Sequence, residues 1–219
     1  MTRTFMILFF ALGILLLAGS AVAEWPENGT IGLYLSEGDN DLSRAGVTKV
    51  GEAFELAVQI DTGVESIAVL FQMTELNLLY PGIFKVSTWI YNESIFDLGR
   101  NDIGEYVFPY GDQCAPAGEV VVTRVGYVDV TGELDDDIPL WIHGLEEGQI
   151  HKAELGTQPG YLACNTQDTW ALAPEPWDDD SIDPTQIEGV TNTDGLLVLN
   201  PSLLVPNEGS SFSALKTRY

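Results

Sequence analysis

Apolar and polar positions alternate with a period of two through most of the middle of the chain, and no window of twelve or more residues carries a clean 3.6-residue apolar stripe. The pattern predicts an all-β protein. Residues 30–36 put Ile31, Leu33 and Leu35 on one face of a first strand. Phe54, Leu56, Val58 and Ile60 then alternate with Glu55, Ala57 and Gln59, the clearest half-buried strand in the sequence. Asp61-Thr62-Gly63 supplies turn chemistry, and residues 65–73 restart as a more continuously apolar run suited to burial on both faces, so the two segments read as a hairpin. After Pro81-Gly82, Phe84, Val86, Thr88 and Ile90 alternate with Lys85, Ser87, Trp89 and Tyr91, predicting one aliphatic face and one partly aromatic face. A long strand over residues 119–130 has residues 138–143 as its expected neighbour, through the acidic turn 131–137. Residues 145–156 fit a short helix or a polar edge strand. Residues 165–189 are rich in Pro, Asp, Trp and Thr and read as an irregular loop, after which residues 196–199 form a short buried strand that closes the core.

Seven or eight short strands, separated by Gly and Pro turns, predict a two-sheet antiparallel β-sandwich, immunoglobulin-like or jelly-roll-like. No internal repeat of 20 to 50 residues points to a solenoid or propeller. The opening Ile31-Gly32-Leu33-Tyr34-Leu35-Ser36, the segment from Val50-Gly51 through Phe54 to Ile60, and Ile67-Ala68-Val69-Leu70-Phe71-Gln72-Met73 together resemble the first half of cohesin-like modules and similar secreted bacterial sandwiches. The resemblance covers some 110 to 130 of the 219 residues. It implies a cohesin-like sandwich with an adhesive or scaffolding role. The acidic insertion near Trp177 and the paired cysteines depart from that pattern.

The ends of the chain differ from its middle. Arg3, the apolar run 5–18 and Ala21-Val22-Ala23 read as a signal peptide over residues 1–23, cleaved before Glu24. The sandwich is expected over residues 24–206, with the acidic Pro/Trp loop at 165–189, and residues 207–219 as a separate tail. Phe212, Leu215, Lys216, Arg218 and Tyr219 make that tail a basic, aromatic cluster. It resembles the C-terminal segments of some exported bacterial proteins, for which an attachment or sorting role is implied. The expected location is the cell envelope or the medium, and no later stretch of the mature chain is apolar enough to span a membrane.

Charge narrows the partners further. Asp and Glu number 33 against nine Lys and Arg, a net charge of -24, so no nucleic-acid partner is expected and anionic membrane surfaces are poor partners on electrostatic grounds. At 45% hydrophobic residues the chain still has enough apolar matter for a core. Its two cysteines, Cys114 and Cys164, are expected to pair in an oxidising compartment, and closing a 50-residue loop stabilises a fold by up to roughly 4 kcal/mol.

Candidate chemistry is sparse. Acidic loops could hold Ca²⁺ through oxygen ligands, with Asp178, Asp179, Asp180 and Asp183 as one candidate set; Glu37, Asp39, Asn40 and Asp41 and the run Asp135, Asp136 and Asp137 are the others, and none fits an EF-hand loop. No other cofactor is expected. Trp170 and Trp177 are candidate sugar-stacking residues. His143 and His151 lack a third ligand at metal spacing, and neither accompanies a nucleophile signature around the cysteines. Paired carboxylates for glycoside hydrolysis can be drawn in many places in so acidic a chain, but none sits in a local motif. The sequence therefore reads as a secreted, acidic, non-catalytic binding or structural module whose partner is an extracellular protein or a polysaccharide. A carbohydrate-binding module using the loop tryptophans is the alternative, and a glycosidase-like hydrolase the weakest.

Overall fold

The structure, a computed structural model, describes residues 27–36, 41–93, 97–100, 103–110, 113–134, 136–144, 158–166 and 168–202. The expected signal peptide and the tail 207–219 lie outside these residues, as do Glu37, Asp39, Asn40, Asp135, the segment 145–157 and His151.

Among the described residues, twelve strands form one continuous ladder that bends into two layers. In the first layer, β6 (Ile83–Ile90), β8 (Gly118–Asp129), β4 (Ala53–Thr62), β1 (Glu27–Ser36) and β11 (Thr169–Pro174) run side by side. In the second, β7 (Glu105–Pro109) borders β5 (Ser66–Met73), whose end meets β9 (Ile138–His143); beyond that come β12 (Leu196–Leu199) and the two-residue β3 (Ala45–Gly46). The strand β10 (Gly160–Ala163) pairs with both β11 and β5 and so joins the layers along one side. The two-residue β2 (Leu42–Ser43) folds back on the end of β1. The alternation expected at Ile31, Leu33 and Leu35 and at Leu56, Val58 and Ile60 holds, because those side chains are the floor of the core. Val69, Phe71, Met73, Tyr106, Phe108, Leu140, Ile142, Leu197 and Leu199 roof it from the second layer. The all-β sandwich is thus present, and Cys114 and Cys164 are bonded to each other beside the start of β5, where Ala115 and Ala163 both pair with Ser66.

Three expectations about neighbours are corrected. β4 and β5 are no hairpin: β4 lies between β1 and β8, whereas β5 pairs with β7, β10 and β9. A hairpin would leave both strands in one layer with the Leu56 and Val58 face uncovered; by crossing over at residues 63–65, β5 becomes the roof of that face. For the same reason β8 and β9 are not partners, the turn after Asp129 also carrying the chain into the other layer. The segment 165–189 is not wholly irregular, since Thr169-Trp170-Ala171-Leu172-Ala173-Pro174 forms β11, parallel to β1 and antiparallel to β10.

The rest of that acidic segment packs instead of dangling. Ile182 and Ile187 form a small second core with Leu196 and Val198, bordered by Ala45, Trp141, Trp177 and Val190. β12 is buried at all four positions because Leu197 and Leu199 face the main core while Leu196 and Val198 face this smaller one. The buried Arg44 holds the arrangement. Its guanidinium donates to the Leu196 carbonyl at 3.0 Å and to Glu175 Oε2 at 2.7 Å, and lies 4.7 Å from the centroid of the Tyr34 ring. Glu175 also accepts from the Thr30 hydroxyl at 3.0 Å and from the Tyr34 hydroxyl. Burial, together with the Glu175 hydrogen bond, pushes the Tyr34 phenol well above its ordinary range.

Candidate functional site

The first layer ends at β6, which pairs with β8 on one side and with no described strand on the other. An unpaired strand edge presents a row of free N–H and C=O groups, a template for another chain. On β6 that edge is flanked by exposed apolar side chains: Phe84 is 53% accessible, Val86 55% and Trp89 40%. Leu78 and Leu79, from the short helix α1 (Leu76–Leu79) that leads into β6, are exposed as well. Five bulky apolar residues within a twelve-residue stretch are more than scattered surface hydrophobics supply, and such patches mark interaction sites. The other outer edges differ: β3 has only two residues, and β7 is capped by residues 97–99, Leu98 donating to the Val107 carbonyl and the Asp97 carboxylate accepting from the Val107 amide.

Sequence alternation misses this surface because β6 is interrupted. The register against β8 shifts between Lys85 and Ser87, leaving Val86 as the extra residue of a bulge. Phe84 and Trp89 are five apart and would face opposite ways in an unbroken strand. The bulge resets the parity, so Phe84 opposite Val128, Ser87 opposite Gly126 and Trp89 opposite Arg124 share the outer face, while Lys85, Thr88 and Ile90 lie across from the inward-facing Tyr127, Val125 and Thr123. The expected split into an aliphatic and an aromatic face is thereby corrected. Gly126 permits the close pairing at the bulge, since a Cβ there would stand 2.2 Å from the Ser87 hydroxyl.

Polar groups pin this edge from beneath. Lys85 Nζ lies 3.1 Å from Glu75 Oε1 and 2.5 Å from the Tyr106 hydroxyl, and the Tyr127 hydroxyl donates to Glu75 Oε2 at 2.7 Å. Glu75 is almost wholly buried, a position a carboxylate keeps only with such partners. Burial and the neighbouring Glu75 carboxylate push the Tyr127 phenol far up, so it acts as a donor throughout the ordinary pH range. At the start of β6, the buried Asp129 collects the turn after β8: Oδ1 accepts from the amides of Thr131 at 3.0 Å, Gly132 at 2.7 Å and Glu133 at 3.3 Å, and Oδ2 from Leu134 at 3.2 Å. Burial alone would raise its carboxyl, but the four amides outweigh it and the pKa is lowered. Glu133 in turn accepts from the Gly82 amide at 2.8 Å, tying the turn to the entry of β6.

The tryptophans singled out in the sequence lie elsewhere. Trp170 stands on β11, half-buried against the main core, with its indole N–H buried and unpartnered. Trp177 packs on the second core and donates to the Asp179 carbonyl at 2.7 Å. The four aspartates of the metal candidate do not converge. Asp178 is exposed and 4.0 Å from Arg44 Nε, Asp179 accepts from the Ser181 amide at 2.7 Å, Asp180 points to solvent, and Asp183 caps the 3-10 turn Pro184–Gln186. Hydrogen bonds from the Thr185 hydroxyl, the Gln186 amide group and the Thr185 backbone lower the Asp183 carboxyl. Asp137 is occupied with Ser202, whose amide donates to it at 2.8 Å. Among the described residues the one cluster of potential metal ligands is Glu65 with Cys114 and Cys164, whose sulfurs are bonded to each other.

No known protein-family profile matches the chain, and no curated protein matches it. Solved structures do. A cohesin module from a family 33 glycoside hydrolase of Clostridium perfringens aligns over 67% of this chain and 90% of its own, with a TM-score of 0.44 and 13% identity. A chain of the CaDoc0917–CaCohA2 complex, a cohesin–dockerin pair, aligns over 65% of this chain and 99% of its own, with a TM-score of 0.41 and 6% identity. Both neighbours come from cohesin structures. The sequence resemblance and these structural neighbours name the same kind of module. The functional reading rests on the chain's own residues.

Proposed function

We propose that the protein is an exported, non-catalytic module that binds another protein through the free edge of β6. The observation that carries this reading is an eight-residue edge strand flanked by Phe84, Val86, Trp89, Leu78 and Leu79. Backbone groups along such an edge supply affinity by strand addition, and the side chains beside it supply selectivity. The buried Glu75–Lys85–Tyr127 network supports the reading, because it fixes β6 and α1 from the inner side without using any outward group. Export rests on the leader-like residues 1–23, and the acidity on the composition.

The experiment is retention of proteins from the envelope and medium of the source cells on the immobilised mature chain, compared with a Phe84→Asp/Trp89→Asp variant. A protein retained by the first and reduced at least roughly tenfold on the second, with both chains equally folded by circular dichroism, supports the reading; loss of one buried aromatic anchor at an interface has that magnitude. Equal retention by both chains sinks it, as does retention of a polysaccharide that depends on Trp170 or Trp177 in place of β6.

A further inference from the structure

Two contacts fix which way the backbone of β6 faces. The Val130 amide donates to the Gly82 carbonyl at 3.1 Å and the Thr123 hydroxyl donates to the Trp89 carbonyl at 2.6 Å, so Gly82 and Trp89 turn their polar groups toward β8. In an antiparallel strand the N–H and C=O of one residue point to the same side, and neighbours alternate. Counting forward from Gly82, Phe84 faces β8 and Lys85 faces the free edge. Counting back from Trp89, Thr88 faces the free edge. In an unbroken strand Lys85 and Thr88, three positions apart, would face opposite ways. The extra residue Val86 thus resets backbone direction as well as side-chain face.

A strand with this break in parity can pair with its own copy over its whole length. A two-fold axis through an antiparallel seam sets residue i opposite j and j opposite i. Unbroken strands allow this only when i and j are both even or both odd, because otherwise a residue facing the seam meets one facing away. In β6, Phe84 and Trp89 share the outer face and both turn their backbone to β8, while Lys85 and Thr88 both turn theirs to the edge. Setting Phe84 opposite Trp89 of a second copy therefore sets Lys85 opposite Thr88, and the two bulges face each other at the centre. The register spans β6 from Ile83 to Ile90. Ladder hydrogen bonds fall at the two Lys85–Thr88 pairs, and the two Phe84–Trp89 pairs take the close positions without ladder bonds, where side chains approach most nearly.

Charge and area fit such a pair. Each copy carries -24, yet residues 76–92 contain no acidic residue, the longest such stretch after residues 1–23, so β6 brings no carboxylate to the seam. Lys85 is held inward by Glu75 and Tyr106, and Arg124, beside Trp89, is engaged with the Ser36 hydroxyl at 2.6 Å and lies 3.9 Å from Glu55. Phe84, Val86 and Trp89 are each about half bare. Their free surface is on the order of 100 Å² apiece. With the edge backbone, the pair covers roughly 1,000 Å² in total, the lower end for a specific interface, so the dimer is weak.

We infer that the partner of β6 is a second copy of this chain: two β6 strands pair antiparallel about a two-fold axis, Phe84 of each against Trp89 of the other, and join the two first layers into one sheet. This rests on the reading of β6 as the interaction surface and names its partner.

Sedimentation velocity of the pure mature chain tests the state. The expected result is a monomer–dimer equilibrium with a dissociation constant of about 1–100 µM. It should tighten at least roughly threefold between about 0.05 and 0.5 M NaCl, because salt screens the repulsion between two acidic bodies. Thr88→Pro removes an N–H that faces the free edge and leaves the ladder to β8 intact, so it should weaken the dimer at least roughly tenfold. Register is tested by mixing a Phe84→Cys chain with a Trp89→Cys chain in oxidised glutathione. A disulfide-linked dimer holding one of each is expected, with at least roughly fivefold less product from either chain alone, since only positions 84 and 89 lie within bonding reach. A monomer throughout, a dimer that loosens with salt or ignores Thr88→Pro, or equal cross-linking in the single-chain controls overturns the inference. Retention of a foreign protein is a separate readout. A monomeric chain that still holds one through Phe84 and Trp89 fails this inference and leaves the reading of β6 standing, whereas a chain that neither dimerises nor retains anything fails both.

Discussion

Asp129→Ala removes the acceptor around which four amides turn. Two of its contacts, at 2.7 and 3.0 Å, are full hydrogen bonds to a charged group, and the two at 3.2 and 3.3 Å sit at the outer limit of useful length. Hydrogen bonds to charged groups contribute about 1.5–3 kcal/mol each in favourable cases. Thr131 and Gly132 are exposed, however, so water replaces part of what their amides lose. A net cost of about 2–3 kcal/mol at pH 7 follows, or a Tm lower by roughly 5–10 °C for a domain of this size. The folded-state carboxyl titrates below its unfolded value, so its contribution is fully present above the unfolded pKa of about 4 and is lost as pH falls through the lower folded value. The gap between native and variant proteins should therefore be constant from neutral pH to about pH 5 and close in strong acid. Urea unfolding followed by tryptophan fluorescence at pH 7 and pH 2.5 measures it. Asp129→Asn should fall between the two, keeping one oxygen for three amides while turning an amino group toward the Leu134 N–H. A cost under about 0.5 kcal/mol at pH 7, or the same gap at both pH values, would refute the account of this turn.

Gly29→Ala should be severely destabilising, by more than about 3 kcal/mol, because φ is +142° and a Cβ would stand 2.1 Å from the Asp61 carbonyl oxygen; Gly126→Ala meets only the rotatable Ser87 hydroxyl and should cost less than half as much in the same urea titration. Trp177→Ala should lower stability by about 2–3 kcal/mol in calorimetry by opening the second core, with proteolysis then appearing first in residues 178–194. Reducing the Cys114–Cys164 bond should lower the urea midpoint by an amount equivalent to at most about 4 kcal/mol, and an unchanged midpoint would mean that the 50-residue loop is already constrained in the unfolded chain.

Fold class was legible because period two is a local property: Ile31, Leu33, Leu35 and Leu56, Val58, Ile60 announce one buried face each, whatever covers it. Partner choice is not local. Nothing in Asp61-Thr62-Gly63 distinguishes a hairpin turn from a crossing between layers, and the difference is decided by Val69, Phe71 and Tyr106 having a floor to cover. The segment 165–189 hides its strand for a related reason. Its prolines and aspartates are turn formers, but Ala171 and Leu172 had both β1 and β10 waiting to pair, and Ile182 and Ile187 are too few to show a period yet enough to seal the outer face of β12. The β6 surface was hidden by a single inserted residue. Phe84 and Trp89 read as opposite faces until the bulge at Val86 brings them together, and the nearest signal in the sequence is Gly126, which stands opposite Ser87 without a side chain. The tail was legible as chemistry, through Lys216, Arg218 and Tyr219, and silent about place.

The order in which strands meet has a consequence for the timing of folding. Residues 27–129 contain β1, β4, β8 and β6 and could assemble a four-stranded layer early, since each of these strands finds a neighbour among them. The roof is different. Between β5 and β3 it is built from β9 and β12, the seam to β11 needs β10, and the residue opposite Glu27 is Ala171. Until residue 143 is available, the floor formed by Ile31, Leu33, Leu56 and Val58 has only β5 and β7 above it; β12 is added only at residue 199, and pairings this distant in sequence form slowly. A nascent chain is thereby kept from closing its core until nearly all of it has been synthesised. The topology itself thus holds the chain open, and the last strands to emerge are the ones that complete the core.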